Sequence, residues 1–538
     1  MQFNLIDEQW IPVMRRDGSK DKIAPHEVTK GFSDNPVVAI DAPRPDFNGA
    51  LVQFLIGLIQ TVAAPMNGSE WRKKLAEPPS PDELKAAFAS VHHAFELGGD
   101  KSRFMQDFDE LIGQAGSISG LLIGEPGENA LKNNTDFFVK RTQNSFSICP
   151  ACCAAAMFSL QTNAPAGGRG YMTSLRGGGP LTTIVLGSGK LDTLWHSVWL
   201  NILEFNKFNG LANSNLTDPS EKFPWLAKTK VNVVEQQMHP AQYYWAMPRR
   251  IKLDQENISE GKCDICSEDS KKLITQYIEL PNGTKYQEPM KHPLSAFNGS
   301  STKAMLTPQG GVSYRHWLGL VVVDNDSKNE PARVVHEFIQ ERQKRDWPFR
   351  LWAFGYDFVP GQNKARCWYD STMPLIYMDQ SSREFESCIA GIVQAAAKIS
   401  GNTRSAVKKA WFRRPGDVKG NLSFVDSSFW QQTETVFYVA LVSLRSALES
   451  GSDSLQARQE CHKELCGHAL KLFDSYAWEG PIEDADPKRV VIARKELENY
   501  NRGKKIKELL CLPIEQKNAT KTAKKKATKR QKQTELGI

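Results

Sequence analysis

Two pairs of cysteines carry the strongest chemical signal in the chain: Cys149-Pro150-Ala151-Cys152 and Cys263-Asp264-Ile265-Cys266. Two thiolates two residues apart bite one divalent cation, and two such knuckles complete the tetrahedral all-sulfur site of structural zinc. The 110 residues between the pairs exceed the loop of a compact zinc finger, so a metal there would cross-brace distant segments. Four separate thiols are the alternative. A catalytic zinc is disfavoured. Four cysteines leave no open coordination position, and no His-x-Glu stands upstream of Cys149 at the deaminase spacing.

A second cluster, Cys461-His462-Lys463-Glu464-Leu465-Cys466, puts His462 and Cys466 one helical turn apart. No partner pair matches it, so it reads as a helix with one polar face and a buried Cys466. Cys153, Cys367, Cys388 and Cys511 read as small core residues. Gly167-Gly168-Arg169-Gly170 and Arg176-Gly177-Gly178-Gly179 have neither the dinucleotide spacing nor a Walker lysine. Glycines allow close backbone approach and the two arginines could meet phosphate, so a groove-facing loop and a plain flexible loop both stand. Aromatic and basic residues interleave at Phe137 to Arg141, at Trp411 to Arg414 and, more weakly, at Gly361 to Arg366. Such segments stack on bases and meet phosphates, although each alone is more often an amphipathic surface element. No Ser-His-Asp order, paired acids or nuclease metal cluster is evident, so no catalytic residue is expected.

The elements that must position these residues follow from patterning. Residues 1–13 read as extended, 46–65, 81–97, 151–160 and 190–206 as helical, and Leu181 to Leu186 as a strand between glycine loops. Short apolar runs from Ile251 to about Val323 suggest a small sheet-rich region. From Arg383 onward helical periodicity dominates and predicts a bundle. The expected fold is α+β: a large mixed α/β globular domain over 1–380, a four-helix bundle over 381–515, and a disordered basic tail over 516–538.

The 538 residues carry a formal charge of +7. Residues 516–538 hold eight basic residues and one acid, which equals that entire charge, so the body is neutral and any polyanion site in it must be a local patch. Ten cysteines suggest a reducing compartment. Asp7 and Glu8 interrupt any apolar opening run, and Ala50 to Ala64 is too short to span a bilayer, so a cytoplasmic protein with no secretory signal and no membrane span is expected.

The opening Asn4-Leu5-Ile6-Asp7-Glu8-Gln9-Trp10-Ile11-Pro12-Val13, both knuckles in order, Ser174-Leu175-Arg176-Gly177-Gly178-Gly179-Pro180-Leu181-Thr182-Thr183, and Phe354-Gly355-Tyr356 resemble the CasA large-subunit family of type I-E Cascade, the CRISPR RNA-guided surveillance complex. The likeness spans about residues 3–512. It implies a non-catalytic subunit that recognises the protospacer-adjacent motif in duplex DNA, wedges the strands apart to start an R-loop, and helps recruit the nuclease-helicase. The implied partners are double-stranded target DNA, CRISPR RNA and the backbone, small and guide-processing subunits, and the implied cofactor is structural Zn²⁺ on Cys149, Cys152, Cys263 and Cys266. The family's glycine loop falls on Gly167, Gly168, Arg169 and Gly170, and its minor-groove lysine on Lys285. Its wedge falls on Gln362, Asn363 and Lys364, with Lys364 standing where the wedge Gln is usual. The loop touching the guide and neighbouring subunits falls on Phe138, Val139 and Lys140. The competing readings are a zinc-dependent nuclease and a scaffold without DNA contact.

Overall fold

The computed structural model describes residues 2–99, 102–125, 146–168, 170–287, 290–299, 303–324, 327–342, 349–359, 364–376, 378, 382–417, 419–479 and 486–514. Phe138, Val139, Lys140, Arg169, Gln362, Asn363 and the tail 516–538 lie outside the described residues. The chain is α+β and divides into two compact units, Met1–Tyr377 and Met378–Ile538.

The first unit is built around the helix Pro45–Val62. Pro45 takes its first position and Asp46 sits in its first turn, where a missing N–H and a negative charge are both favourable. Every residue from Gly49 to Gln60 is buried, so this helix is the axis of the core and not an amphipathic surface element. Phe54 meets the edges of Trp10, Phe95, Phe104, Phe158 and Trp245 at centroid distances of 5.3 to 6.0 Å. Truncating such a side chain to Ala costs about 3–5 kcal/mol. Gln60 is satisfied in the core by exchanging two hydrogen bonds with the Leu203 backbone, at 2.7 and 3.1 Å.

Small sheets surround this axis. Lys20–Ile23, Ile11–Arg15 and Val37–Ile40 form one antiparallel sheet in that order. The longest strands, Phe349–Phe358 and Ala365–Leu375, pair antiparallel from Phe349↔Leu375 to Phe358↔Ala365, and Thr182–Leu186 adds to the other edge of Phe349–Phe358. Arg250–Leu253, Gln276–Leu280 and Gly116–Ser117 make a third sheet.

The second unit carries a helical bundle. The helix Ser382–Trp411 packs on Leu455–Ala477 and Pro487–Asn501. Its buried stripe of Phe385, Ile389, Ile392, Ala396, Ile399 and Thr403 recurs every three to four residues. A fourth rod is made of Ser423–Gln432 and Glu434–Glu449, broken at Thr433. The Thr433 hydroxyl donates to Phe429 O at 2.6 Å, the back-bond by which threonine bends a helix.

Three sequence expectations change. Residues 190–206 are not one helix: the α-helical stretch there is Leu194–Trp199, because the Asn201 side chain leaves the helical path and brackets Val185, accepting from its N and donating to its O at 2.8 Å each. The 81–97 segment is α-helical only over Pro81–Phe88 and tightens to a 3-10 turn over Ala89–Ala94. Of the four cysteines expected in the core, Cys153 is buried, Cys388 is half-buried, and Cys367 and Cys511 are exposed. Cys367 lies on the outer long strand and Cys511 follows the last helix at a left-handed φ of 49°.

Candidate metal centre and nucleic-acid interface

Cys149 caps the helix Pro150–Asn163, whose proline stands at the first helical position, and Cys152 follows in the first turn. Cys263 and Cys266 occupy the turn of the hairpin formed by Ile258–Lys262 and Asp269–Ile274. That turn closes through Ser267 N donating to Cys263 O at 2.8 Å, with Ser267 at a φ of 62°. The knuckles are held together by backbone hydrogen bonds between Ile148 and Ile274, at 2.9 and 3.0 Å, and by the Asp264 carboxylate accepting from Ser147 N at 2.7 Å.

As a result the four sulfurs lie within 4.8 Å of one another. Cys149 and Cys266 are separated by 3.8 Å. Zn–S bonds of about 2.3 Å place the corners of a tetrahedron about 3.8 Å apart, so the donor set fits a four-coordinate zinc site. The backbone N–H of Cys149 donates to Cys263 Sγ at 3.3 Å, an outer contact that favours thiolate. The four sulfurs share protons unevenly: hydrogen bonding among them holds Cys263 and Cys266 below the ordinary thiol range, Cys266 at about 7, and, with burial, pushes Cys149 and Cys152 above it. Lys22 is held protonated: burial opposes its charge, but Glu268 and the Cys266 and Cys149 sulfurs outweigh that cost.

The glycine segment does different work at its two ends. Gly170 is in the left-handed region at φ +87°, and its carbonyl accepts from Asn282 N at 2.7 Å. A Cβ there would lie 2.7 Å from the Pro281 Cβ. The turn Pro281-Asn282-Gly283 leads straight into the short strand Lys285–Tyr286, which pairs parallel with Asn232–Val233. Lys285 is exposed and has no ion-pair partner among the described residues. At the other end Gly179, at φ +69°, lies against the Phe358 ring with no room for a Cβ. Phe358 ends the strand that enters the hairpin tip, which Val359 N closes by donating to Lys364 O at 3.0 Å. Lys364 is exposed and likewise has no ion-pair partner among the described residues.

The glycine segment therefore abuts both the Lys285 turn and the base of the hairpin tip that carries Lys364. The model for CRISPR-associated protein Cse1 matches residues 4–472. The chain belongs to the Cse1 family. Among solved structures it is similar to Thermobifida fusca Cse1, with 16% identity, a TM-score of 0.71, and coverage of 94% of this chain and 98% of that one. Acidimicrobium ferrooxidans Cse1 is 15% identical with a TM-score of 0.67, covering 95% and 98%. A chain of a CRISPR RNA-guided surveillance complex is 15% identical with a TM-score of 0.68, covering 93% and 100%.

Within this Cse1 fold, Arg176 is not a groove residue. It is buried and donates to Gln53 Oε1 at 2.8 Å, Thr182 Oγ1 at 3.0 Å and Ser295 Oγ at 3.3 Å. Burial lowers it to about 9. It braces the long-strand sheet against the central helix. The Cys461–Cys466 cluster is also structural: His462 Nε2 and Cys466 Sγ both face Asn501 O, at 2.8 and 3.7 Å. Trp411 donates to Tyr476 O at 2.7 Å and stacks on Phe424, leaving Arg413 and Arg414 exposed. Sequence reasoning missed Arg249, which lies directly beneath the glycine loop; its one local signal is the basic pair Arg249-Arg250 opening a strand. No helix among the described residues is long and apolar enough to cross a membrane.

Proposed function

We propose that this chain is the non-catalytic large subunit of a type I-E CRISPR RNA-guided surveillance complex. In this reading it recognises the protospacer-adjacent motif in duplex DNA through Gly167, Gly168, Arg169, Gly170 and Lys285. It drives Gln362, Asn363 and Lys364 into the duplex to start the R-loop, and it helps recruit the nuclease-helicase. The single observation that carries it is the glycine segment, which abuts both the Lys285 turn and the hairpin base that carries Lys364. Likeness to a chain of an RNA-guided surveillance complex supports the assembly, with CRISPR RNA and the other Cascade subunits as partners and Phe138, Val139 and Lys140 as the guide-contact loop. Cys149, Cys152, Cys263 and Cys266 would hold a structural Zn²⁺ that, when bound, cross-links helix and hairpin. A cytoplasmic location follows from those partners.

The physics of such a site is coherent. Minor-groove readout is degenerate, which suits a short motif with several accepted variants. Unstacking costs a few kcal/mol per step and is offset by guide–target pairing. The test is duplex binding by the assembled complex carrying Gln362→Ala, Asn363→Ala and Lys364→Ala together. We expect binding to fall about tenfold or more, with little change on a target whose first base pairs are already open. Unchanged duplex binding would favour a scaffold, and metal-dependent DNA cleavage lost on mutating a carboxylate would make the protein a nuclease.

A further inference from the structure

The glycine loop and the Lys285 turn come from segments more than a hundred residues apart and meet at one end through Asn282 N donating to Gly170 O at 2.7 Å, so the loop's other end needs a second tie to hold its angle and spacing. Arg249 spans the feet of the loop. Its Nη2 donates to Pro165 O at 2.6 Å, before the glycines, and its guanidinium lies 5.3 Å from the centre of the Tyr171 ring, just after them. A Cβ on Gly167 would stand 2.8 Å from Arg249 Nη1, so the loop rests on the guanidinium itself. The backbone of Arg249 is clamped in turn by the Gln161 side chain, which accepts from its N at 2.9 Å and donates to its O at 3.0 Å.

The same guanidinium reaches the other element. Nη1 donates to Glu279 Oε1 at 3.2 Å, and Glu279 lies on the strand Gln276–Leu280, which runs directly into Pro281 and Asn282. The Arg249 side chain is only 6% exposed and that of Glu279 21%. Neither group is positioned to meet DNA phosphate at the surface. A planar fork that serves two directions at once is a function lysine's point charge cannot reproduce.

We propose that the Arg249–Glu279 pair sets motif specificity. As positioning residues, they hold the glycine loop at a fixed distance from the Lys285 turn, so that a duplex must present the right groove shape to satisfy both. This rests on the groove-reading role proposed above. Loosening the brace would not remove a DNA contact; it would let the two elements adapt to wrong motifs. The observable is therefore selectivity, not affinity alone.

The experiment uses the assembled complex with Arg249→Lys and, separately, Glu279→Gln, which keeps shape and removes charge. Binding is measured on duplexes differing only in the flanking motif, and on a bubble target whose motif-adjacent pairs are open. Both variants should compress the ratio between best and worst motif by about tenfold, the discrimination a single good base contact supplies, while bubble binding stays within about twofold. If either variant assembles and melts like the parent yet keeps the full ratio, the brace is wrong. If both lose bubble and duplex binding equally, the pair merely supports the fold and the proposal is also overturned. Lys285→Ala separates the two levels. If it compresses the ratio and the brace variants do not, groove reading survives and the brace falls. If neither does, groove reading itself falls.

Discussion

The Tyr356 hydroxyl, on the long strand that enters the hairpin, donates to the buried carboxylate of Asp46 at the start of the central helix. Arg44 completes the group, with Nε donating to Asp46 Oδ1 at 3.0 Å. Burial foremost, and then the Asp46 charge, push the Tyr356 phenol well above its ordinary range, so it stays a donor at any working pH. The contact ties the hairpin to the core axis across 310 residues of sequence. Tyr356→Phe should therefore lower stability by about 1–3 kcal/mol, the cost of leaving a buried acceptor short of one partner. Thermal unfolding of the variant at neutral pH checks this. An unshifted transition would mean that Asp46 recruits another donor.

Protein purified without chelator should contain about one zinc per chain, since one four-sulfur site binds one ion. Cys263→Ser or Cys266→Ser should abolish that stoichiometry and lower the melting transition. Cys153→Ala is the control: Cys153 is wholly buried beside the knuckle but is not one of the four clustered sulfurs, and its zinc should be retained. Elemental analysis that finds no zinc in the parent would remove the site.

The knuckles were readable from the sequence because their chemistry is local: two residues of spacing set the bite, and a proline after Cys149 marks a helix start. The core helix was readable because burial of every position from Gly49 to Gln60 leaves a long apolar run broken only by Gln53 and Gln60. Which arginine would line a groove was not readable. Arg176 sits among glycines in sequence yet ends in the core because Gln53, which interrupts the apolar helix, needs a donor there. Arg249 has no glycine nearby and becomes the floor of the loop through contacts with Pro165, Tyr171 and Glu279, all distant in sequence. Cys367 looked like a core residue by type, but it lies at the exposed end of an edge strand, where Arg366 and Cys367 are both open to solvent; that face is buried only farther along, at Met373 and Leu375. In each case the deciding partner is tertiary, and composition does not encode it.

Two histidines give the first unit an acid sensitivity. His239-Pro240-Ala241 and His292-Pro293-Leu294 share one device: the imidazole Nδ1 accepts the backbone N–H two residues on, at 3.0 Å in both cases. An acceptor nitrogen cannot carry a proton. Burial lowers His239 to about 4, with Lys222 adding, and holds His292 well below the usual range, with Arg176 adding. The unfolded chain takes up protons below about pH 6.5, where free imidazole titrates. The stability these residues contribute is thus fully present above that pH and is lost as pH falls toward 4, by roughly 1.4 kcal/mol per pH unit for each. Denaturant midpoints measured from pH 7.5 to 5 should show this slope. His239→Asn and His292→Asn, which keep an acceptor but do not titrate, should reduce it, the remainder belonging to His196 and His316, which burial also holds below the usual range; a slope unchanged in the double variant would remove these two histidines as its source.

The chain carries a formal charge of +7. It resides entirely in residues 516–538, while the body carries as many acids as bases. If motif reading depends on a few placed groups such as Lys285, the tail's eight cations supply a different term: counterion release, which is blind to sequence and steep in salt. Truncation after Glu515 should therefore flatten the dependence of log K on log salt for the assembled complex on any duplex, specific or not. Affinity at low salt should drop, whereas the ratio between good and poor motifs should remain. The check is a salt titration of binding on two duplexes, with and without a preferred motif. A truncation that leaves both slopes unchanged would show that the tail meets no nucleic acid. One that alters the motif ratio would show that the tail takes part in reading the groove and is not simply a polycation.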